Sequence, residues 1–226
     1  MVQSVFDFTQ DAYPQFDHFL GQGNLELINV LKAQQEPFVY LWGDEGVGKS
    51  YLLKAWVQEA LSKGYQAIYL DIRTNGLPDK TREYDFIALD HIEALNEEEQ
   101  IRLFSIFNQF KDQQTGFLLI SAQFAPWHLT VREDLRTRMG YCLVYEVAPL
   151  SDEEKVKALQ ALAQAKQLHI ADDIFIYLLN HWRRDLNSLI QLLNTLDLYS
   201  LAVKKPITLP LVKKVINHQD QDIKDE

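Results

Sequence analysis

The stretch LWGDEGVGKS, residues 41–50, sets the tightest limit on what this chain can fold into. It holds Gly43, four arbitrary residues, then Gly48, Lys49 and Ser50. PFVYLW before it has the short, wholly apolar character of a buried strand. SYLLKAWVQEALSKG after it places Leu52, Leu53, Trp56, Val57 and Leu61 on one helical face and stops at Gly64. A glycine-rich turn between a strand and a helix N-terminus turns successive backbone N–H groups towards one point, where the helix dipole adds to them, and so suits a phosphate. Gly43 and Gly48, with Gly46 between them, permit the close approach. Lys49 reaches the terminal phosphates, Ser50 can ligate magnesium, and Tyr51 completes the set expected at the cofactor.

The remaining strands supply a sheet for this loop. QAIYLDI (66–72), YDFIALD (84–90), GFLLISA (116–122) and YCLVYEV (141–147) are short apolar runs. A helix is expected over 96–110, and RTNGLPDKTRE leaves little room for a full crossover helix between the second and third strands. This pattern predicts an α/β layer with a parallel five-stranded sheet. Asp90 ends an apolar strand, where an unpaired carboxylate would be costly, and a magnesium-linked role, direct or through water, accounts for it. After Pro149 the pattern becomes helical. Ser151, with Glu154 three residues on, is a capping box, and three further helical stretches follow. The expected organisation is an arm at 1–12, a nucleotide-binding α/β domain at 13–148, a small all-helical lid at 149–218 and a solvated acidic tail at 219–226.

Composition removes other classes. The formal net charge of −10 argues against a broad polyanion-binding surface. The single cysteine, Cys142, cannot form an internal disulfide, and the N-terminus lacks a basic, apolar leader. A cytoplasmic location is expected. No run approaches the roughly 20 apolar residues that span a bilayer, so no membrane association is expected.

In their order, these motifs resemble the AAA+ ATPases of the DnaA/Hda family, and most closely its shorter, Hda-type regulatory members. The resemblance covers almost the whole chain: QFDHFLGQGN before the first helix, LWGDEGVGKSYLL as Walker A, IALDHIE as Walker B, LLISAQ as sensor 1, LRTRMG as the arginine-finger segment and RRDLNSLIQLLNTLD as the sensor-2 helix. It implies an AAA+ P-loop core followed by a lid, with ADP or ATP and Mg2+ as cofactors. It assigns Ser121 to sensing the terminal phosphate, Arg138 to a finger acting in trans and Arg184 to the nucleotide contact from the lid. Arg136 and Arg183 are the neighbouring alternatives. QSVFDF resembles a clamp-binding peptide through Gln3, Phe6 and Phe8, and implies the DNA polymerase III sliding clamp as a partner beside DnaA. A homo-oligomer stays open. The initiator's helix-turn-helix domain has no counterpart after KKVINH, so no direct sequence-specific DNA binding is expected.

One position departs from the general AAA+ pattern. His91 follows Asp90 where a water-orienting glutamate is usual, which puts autonomous hydrolysis in doubt and leaves binding untouched. The leading expectation is a negative regulator of replication initiation that stimulates hydrolysis of DnaA-bound ATP. The alternatives are an autonomous AAA+ ATPase of helicase or clamp-loader type, a loader associated with single-stranded DNA, and a non-catalytic ADP-bound adaptor.

Overall fold

The strand Phe38–Trp42 (β1) is buried on both faces, and its alternation decides the layers: Phe38 and Tyr40 enter one apolar core, Val39 and Leu41 another. Strands with two buried faces belong in a sheet covered by helices on both sides. This is the arrangement in the computed structural model, which describes residues 14–203 and 205–222. Ala67–Asp71 (β2), Phe86–Asp90 (β3), Phe117–Ala122 (β4) and Leu143–Glu146 (β5) join β1 in one all-parallel sheet of order β2-β3-β4-β1-β5.

The helices Leu25–Ala33 (α1) and Lys49–Ser62 (α2) cover one face. Leu27, Ile28 and Leu31 of α1 and Leu52, Leu53 and Trp56 of α2 pack there with Phe86, Ala88 and Leu119. After β2 come a single helical turn, Ile72–Asn75 (α3), and a 3-10 turn at Asp79–Glu83, so β2 and β3 are joined without a full crossover helix, as expected. The helices Glu97–Gln113 (α4) and Glu133–Tyr141 (α5) cover the other face through Leu103, Ile106, Phe107, Leu135 and Met139. Asn96 caps α4 reciprocally with Glu99, the two bonds measuring 3.0 and 2.9 Å.

The chain divides into two compact units, the first taking in the described residues up to Pro149 and the second those from Leu150 onward. The second unit is helical: Asp152–Ala165 (α6), Asp172–His181 (α7), Leu186–Val203 (α8) and Leu209–Asp222 (α9). Leu159, Leu162, Phe175, Leu178, Leu189, Leu193 and Val212 form its core. The Ser151–Glu154 capping box is formed, with Glu154 N–H donating to Ser151 Oγ at 3.2 Å and Ser151 N–H to Glu154 Oε2 at 2.8 Å. The helical backbone continues to Asp222, past residue 219 where a tail was expected, and residues 217–222 contain no glycine or proline to stop it. Gln3, Phe6 and Phe8 lie outside the described residues.

Candidate functional site

Parallel strands bring their C-terminal ends to one edge of the sheet, the edge where α/β proteins place ligands. In register, Leu41 faces Ser121 across β1 and β4, and Asp71 faces Asp90 across β2 and β3. The loop Gly43–Gly48 leaves this edge directly from β1. Gly43, Gly46 and Gly48 have φ of 146°, 80° and 103°, a region that side chains with a Cβ rarely enter. Gly48 is also crowded, since a Cβ there would lie 2.7 Å from Phe19 Cε2. No side chain caps α2, so its first N–H groups are left for an anion. This cradle fits a phosphate.

Lys49 begins α2 and is only 7 % exposed. Its Nζ donates to Gly43 O at 2.6 Å and Asp44 O at 2.7 Å, which turns the ammonium into the loop. Burial pulls its pKa down, against the opposing pull of the carboxylates of Asp90, Glu93, Asp44 and Glu45. Tyr51 lies two residues further along α2; its hydroxyl accepts from Gln15 N–H at 3.2 Å and donates to Gln15 O at 3.0 Å. Its ring centroid is 5.8 Å from that of Phe19. The segment 15–19 is thereby fastened beside the phosphate loop.

Asp90 is fully buried at the end of β3. Ser121 Oγ donates to its Oδ1 and Tyr69 Oη donates to its Oδ2, the latter at 2.8 Å. The period-two alternation of strands puts Tyr69, Asp90 and Ser121 on the α2 face of the sheet. Burial, then the charge of and hydrogen bond to Asp90, then the charge of Asp71, raise the Tyr69 pKa; the Ser50 side chain works the other way. Ser50 and Asp90 offer the hard oxygen donors that magnesium takes, and a phosphate-held magnesium needs only one or two protein oxygens. Their chemistry fits the ion. Among the described residues there is no cluster of three or more His, Cys, Asp or Glu side chains able to hold a metal without the phosphates.

His91 adopts the left-handed conformation, with φ of 59° and ψ of 50°. Its Nδ1 lies 3.2 Å from Asp71 Oδ1 and 3.5 Å from Asp90 Oδ1. Facing two carboxylates, that nitrogen can only donate. For Asp71, burial pushes the pKa up but is outweighed by hydrogen bonds from the Arg73 side chain and backbone and by the charges of His91 and Arg73, which leave it below the ordinary value. Tyr69, Asp71 and Arg73 were not singled out from sequence; they read there as filler of an apolar strand and the turn after it.

The two arginines sit in different units. Arg138, on α5, stacks its guanidinium over Phe104 at 5.5 Å and Phe107 at 5.9 Å. It is half-buried and forms no ion pair among the described residues. Arg136 is half-buried on the same helix. In the helical unit Arg184 precedes α8 and pairs with Asp152 Oδ2 at 2.7 Å; Arg183 beside it is exposed.

Residues 152–216, the helical unit, match the family described as Hda, lid domain. An uncharacterized protein of Haemophilus influenzae is 32 % identical over 213 residues, covering 89 % of this chain and 92 % of its own. The fold is shared with domain III of the Thermotoga maritima replication initiation protein DnaA (TM-score 0.76, 17 % identity, 90 % of this chain and 95 % of that one). It is shared also with AMPPCP-bound DnaA from Aquifex aeolicus (TM-score 0.72, 20 % identity, 97 % of this chain and 72 % of that one). The Hda-type lid and the DnaA-like core it follows make this chain a member of the DnaA/Hda family of AAA+ proteins.

Proposed function

We propose that this chain is a DnaA-related regulator of replication initiation that binds an adenine nucleotide, ADP in its working state, and stimulates hydrolysis of ATP held by DnaA. The observation that carries the reading is the contrast between two side chains. His91 Nδ1 is held between Asp71 and Asp90, so the ring is fixed beside those two carboxylates and the position after Asp90 offers no carboxylate to orient water. Arg138 is instead held by aromatic rings and forms no ion pair among the described residues, a guanidinium available to phosphoryl oxygens.

In the partner's site the reaction is attack of water on the terminal phosphorus, with ADP leaving. Arg138 stabilises the negative charge that spreads over the phosphoryl oxygens in the transition state. In its own site, Gly43, Gly46, Gly48, Lys49 and Ser50 hold the nucleotide phosphates, and Ser50 and Asp90 are the oxygens that Mg2+ would take, partly through water, when it enters. Tyr51 lines the cofactor and Ser121 reports its terminal phosphate through Asp90. Arg184 is assigned to nucleotide contact by its resemblance to sensor 2. The AMPPCP bound by DnaA from Aquifex aeolicus supports an adenine nucleotide here.

Gln3, Phe6 and Phe8 attach the chain to the DNA polymerase III sliding clamp, so that it meets DnaA on replicated DNA as a negative regulator in the cytoplasm. Among the described residues no helix is long and apolar enough to cross a membrane. The test is hydrolysis of DnaA-bound ATP with the clamp loaded on DNA. Added chain accelerates it, and replacing Gln3, Phe6 and Phe8 together by alanine abolishes the acceleration. No acceleration by the unmodified chain sinks the reading.

A further inference from the structure

Tyr69 bonds the carboxylate that would hold a cation. Its hydroxyl donates to Asp90 Oδ2 at 2.8 Å, and the Ser50 side chain is close enough to influence it. The other oxygen of the same carboxylate is taken by Ser121, with His91 Nδ1 3.5 Å away. The buried Asp90 carboxylate therefore receives from protein donors the compensation that a metal's bound water would give it. The tyrosine is not free to leave at no cost. Its ring packs against the core beneath α2, and Lys54 Nζ, one turn after Ser50 on that helix, lies 5.0 Å from its centroid. A neutral phenol is also a poor ligand for magnesium, which takes charged or strongly polar oxygens at short, rigid distances.

We propose that the Tyr69 hydroxyl holds the position through which a divalent cation would connect Ser50 to Asp90, so that this chain grips a nucleoside diphosphate without needing the cation. The inference rests on the nucleotide-binding reading of the same site. The phosphates are neutralised by the loop N–H groups and Lys49, while Tyr69 and Ser121 satisfy the two oxygens of Asp90. A nucleotide held in this way stays bound when magnesium is scarce. A cation can enter only by displacing the Tyr69 hydroxyl from Asp90, which makes Tyr69 a positioning residue of the carboxylate and a competitor of the metal.

The experiment is calorimetric titration of ADP into the full chain, once with excess magnesium and once with a chelator, for the unmodified protein and Tyr69→Phe. The ring and its packing survive in the variant, and only the hydroxyl is lost. Magnesium changes the affinity of the unmodified chain by less than about threefold, and Tyr69→Phe raises that magnesium effect to roughly tenfold, the scale of one hydrogen bond to a charged group. A purely structural tyrosine would leave the magnesium effect unchanged or lower it. A magnesium effect of about threefold or more in the unmodified chain overturns the proposal even if Tyr69→Phe does not fold, and so does a variant whose effect rises by less than about threefold. No ADP binding in either condition overturns it together with the nucleotide-binding reading, whereas stimulation of DnaA is measured separately and is unaffected by failure of the tyrosine proposal alone.

Discussion

Phe19 Cε2 stands 2.7 Å from the point where a Cβ on Gly48 would lie, so the segment before the first helix closes directly over the phosphate loop. Gly48→Ala therefore meets two penalties, a backbone φ of 103° and contact with a ring that Tyr51 and Gln15 help to fix. The expected loss is about 1–3 kcal/mol of unfolding free energy, with weakened ADP binding. Denaturant titration checks the first and calorimetry the second. Adding Phe19→Ala removes the steric part only, and the double variant stays below the unmodified chain.

Lys49→Ala removes a buried ammonium that donates to Gly43 O and Asp44 O. Phosphate binding loses its one charge-assisted contact from this position, and ADP affinity is expected to fall by a factor on the order of 10 to 100. Circular dichroism of the variant remains that of a folded α/β protein, because burial already disfavours the charged form of Lys49.

Ser121 and Asp90 act as a unit. Ser121→Ala leaves one oxygen of a fully buried carboxylate short of a donor and costs about 1–3 kcal/mol. In the background of Asp90→Asn the same change costs less. A double-mutant cycle by denaturant unfolding gives a coupling of roughly 1 kcal/mol, and additive effects would mean that the bond contributes nothing.

Burial pushes the Cys142 thiol up to about 12. A raised folded pKa contributes stability that is complete below the unfolded value of 9.0 and is lost as pH rises through about 12. Relative to Cys142→Ala, the unmodified chain loses stability over that window. At neutral pH the native thiol reacts with a disulfide reagent at least roughly a hundredfold more slowly than in urea.

How much of this was legible in the sequence depends on whether a feature is local. The phosphate loop, the five strands and the Ser151–Glu154 box are local patterns, each fixed by spacing within a few residues. The Asp90–Ser121–Tyr69 cluster is not, because it exists only when β3 lies between β2 and β4 in register. Tyr69 in QAIYLDI has the look of any aromatic strand residue. His91 could be seen as a departure from glutamate, but its left-handed backbone and its place between two carboxylates depend on the turn after β3. Helix α5 was hidden for another reason: EDLRTRMGY buries only Leu135 and Met139, too few apolar positions to show a period.

The most direct measurement is the rate of hydrolysis of DnaA-bound ATP, with clamp loaded on DNA, in the presence of the unmodified chain and of Arg138→Ala. Arg138 forms no ion pair among the described residues and stacks its guanidinium on Phe104 and Phe107, so the variant keeps its fold within about 1 kcal/mol. The expected result is strong stimulation by the unmodified chain and a loss on the order of 10³-fold in the variant, the scale of an arginine acting on a transferred phosphoryl group. Equal stimulation by the two proteins would contradict the assignment of the chemical step to Arg138.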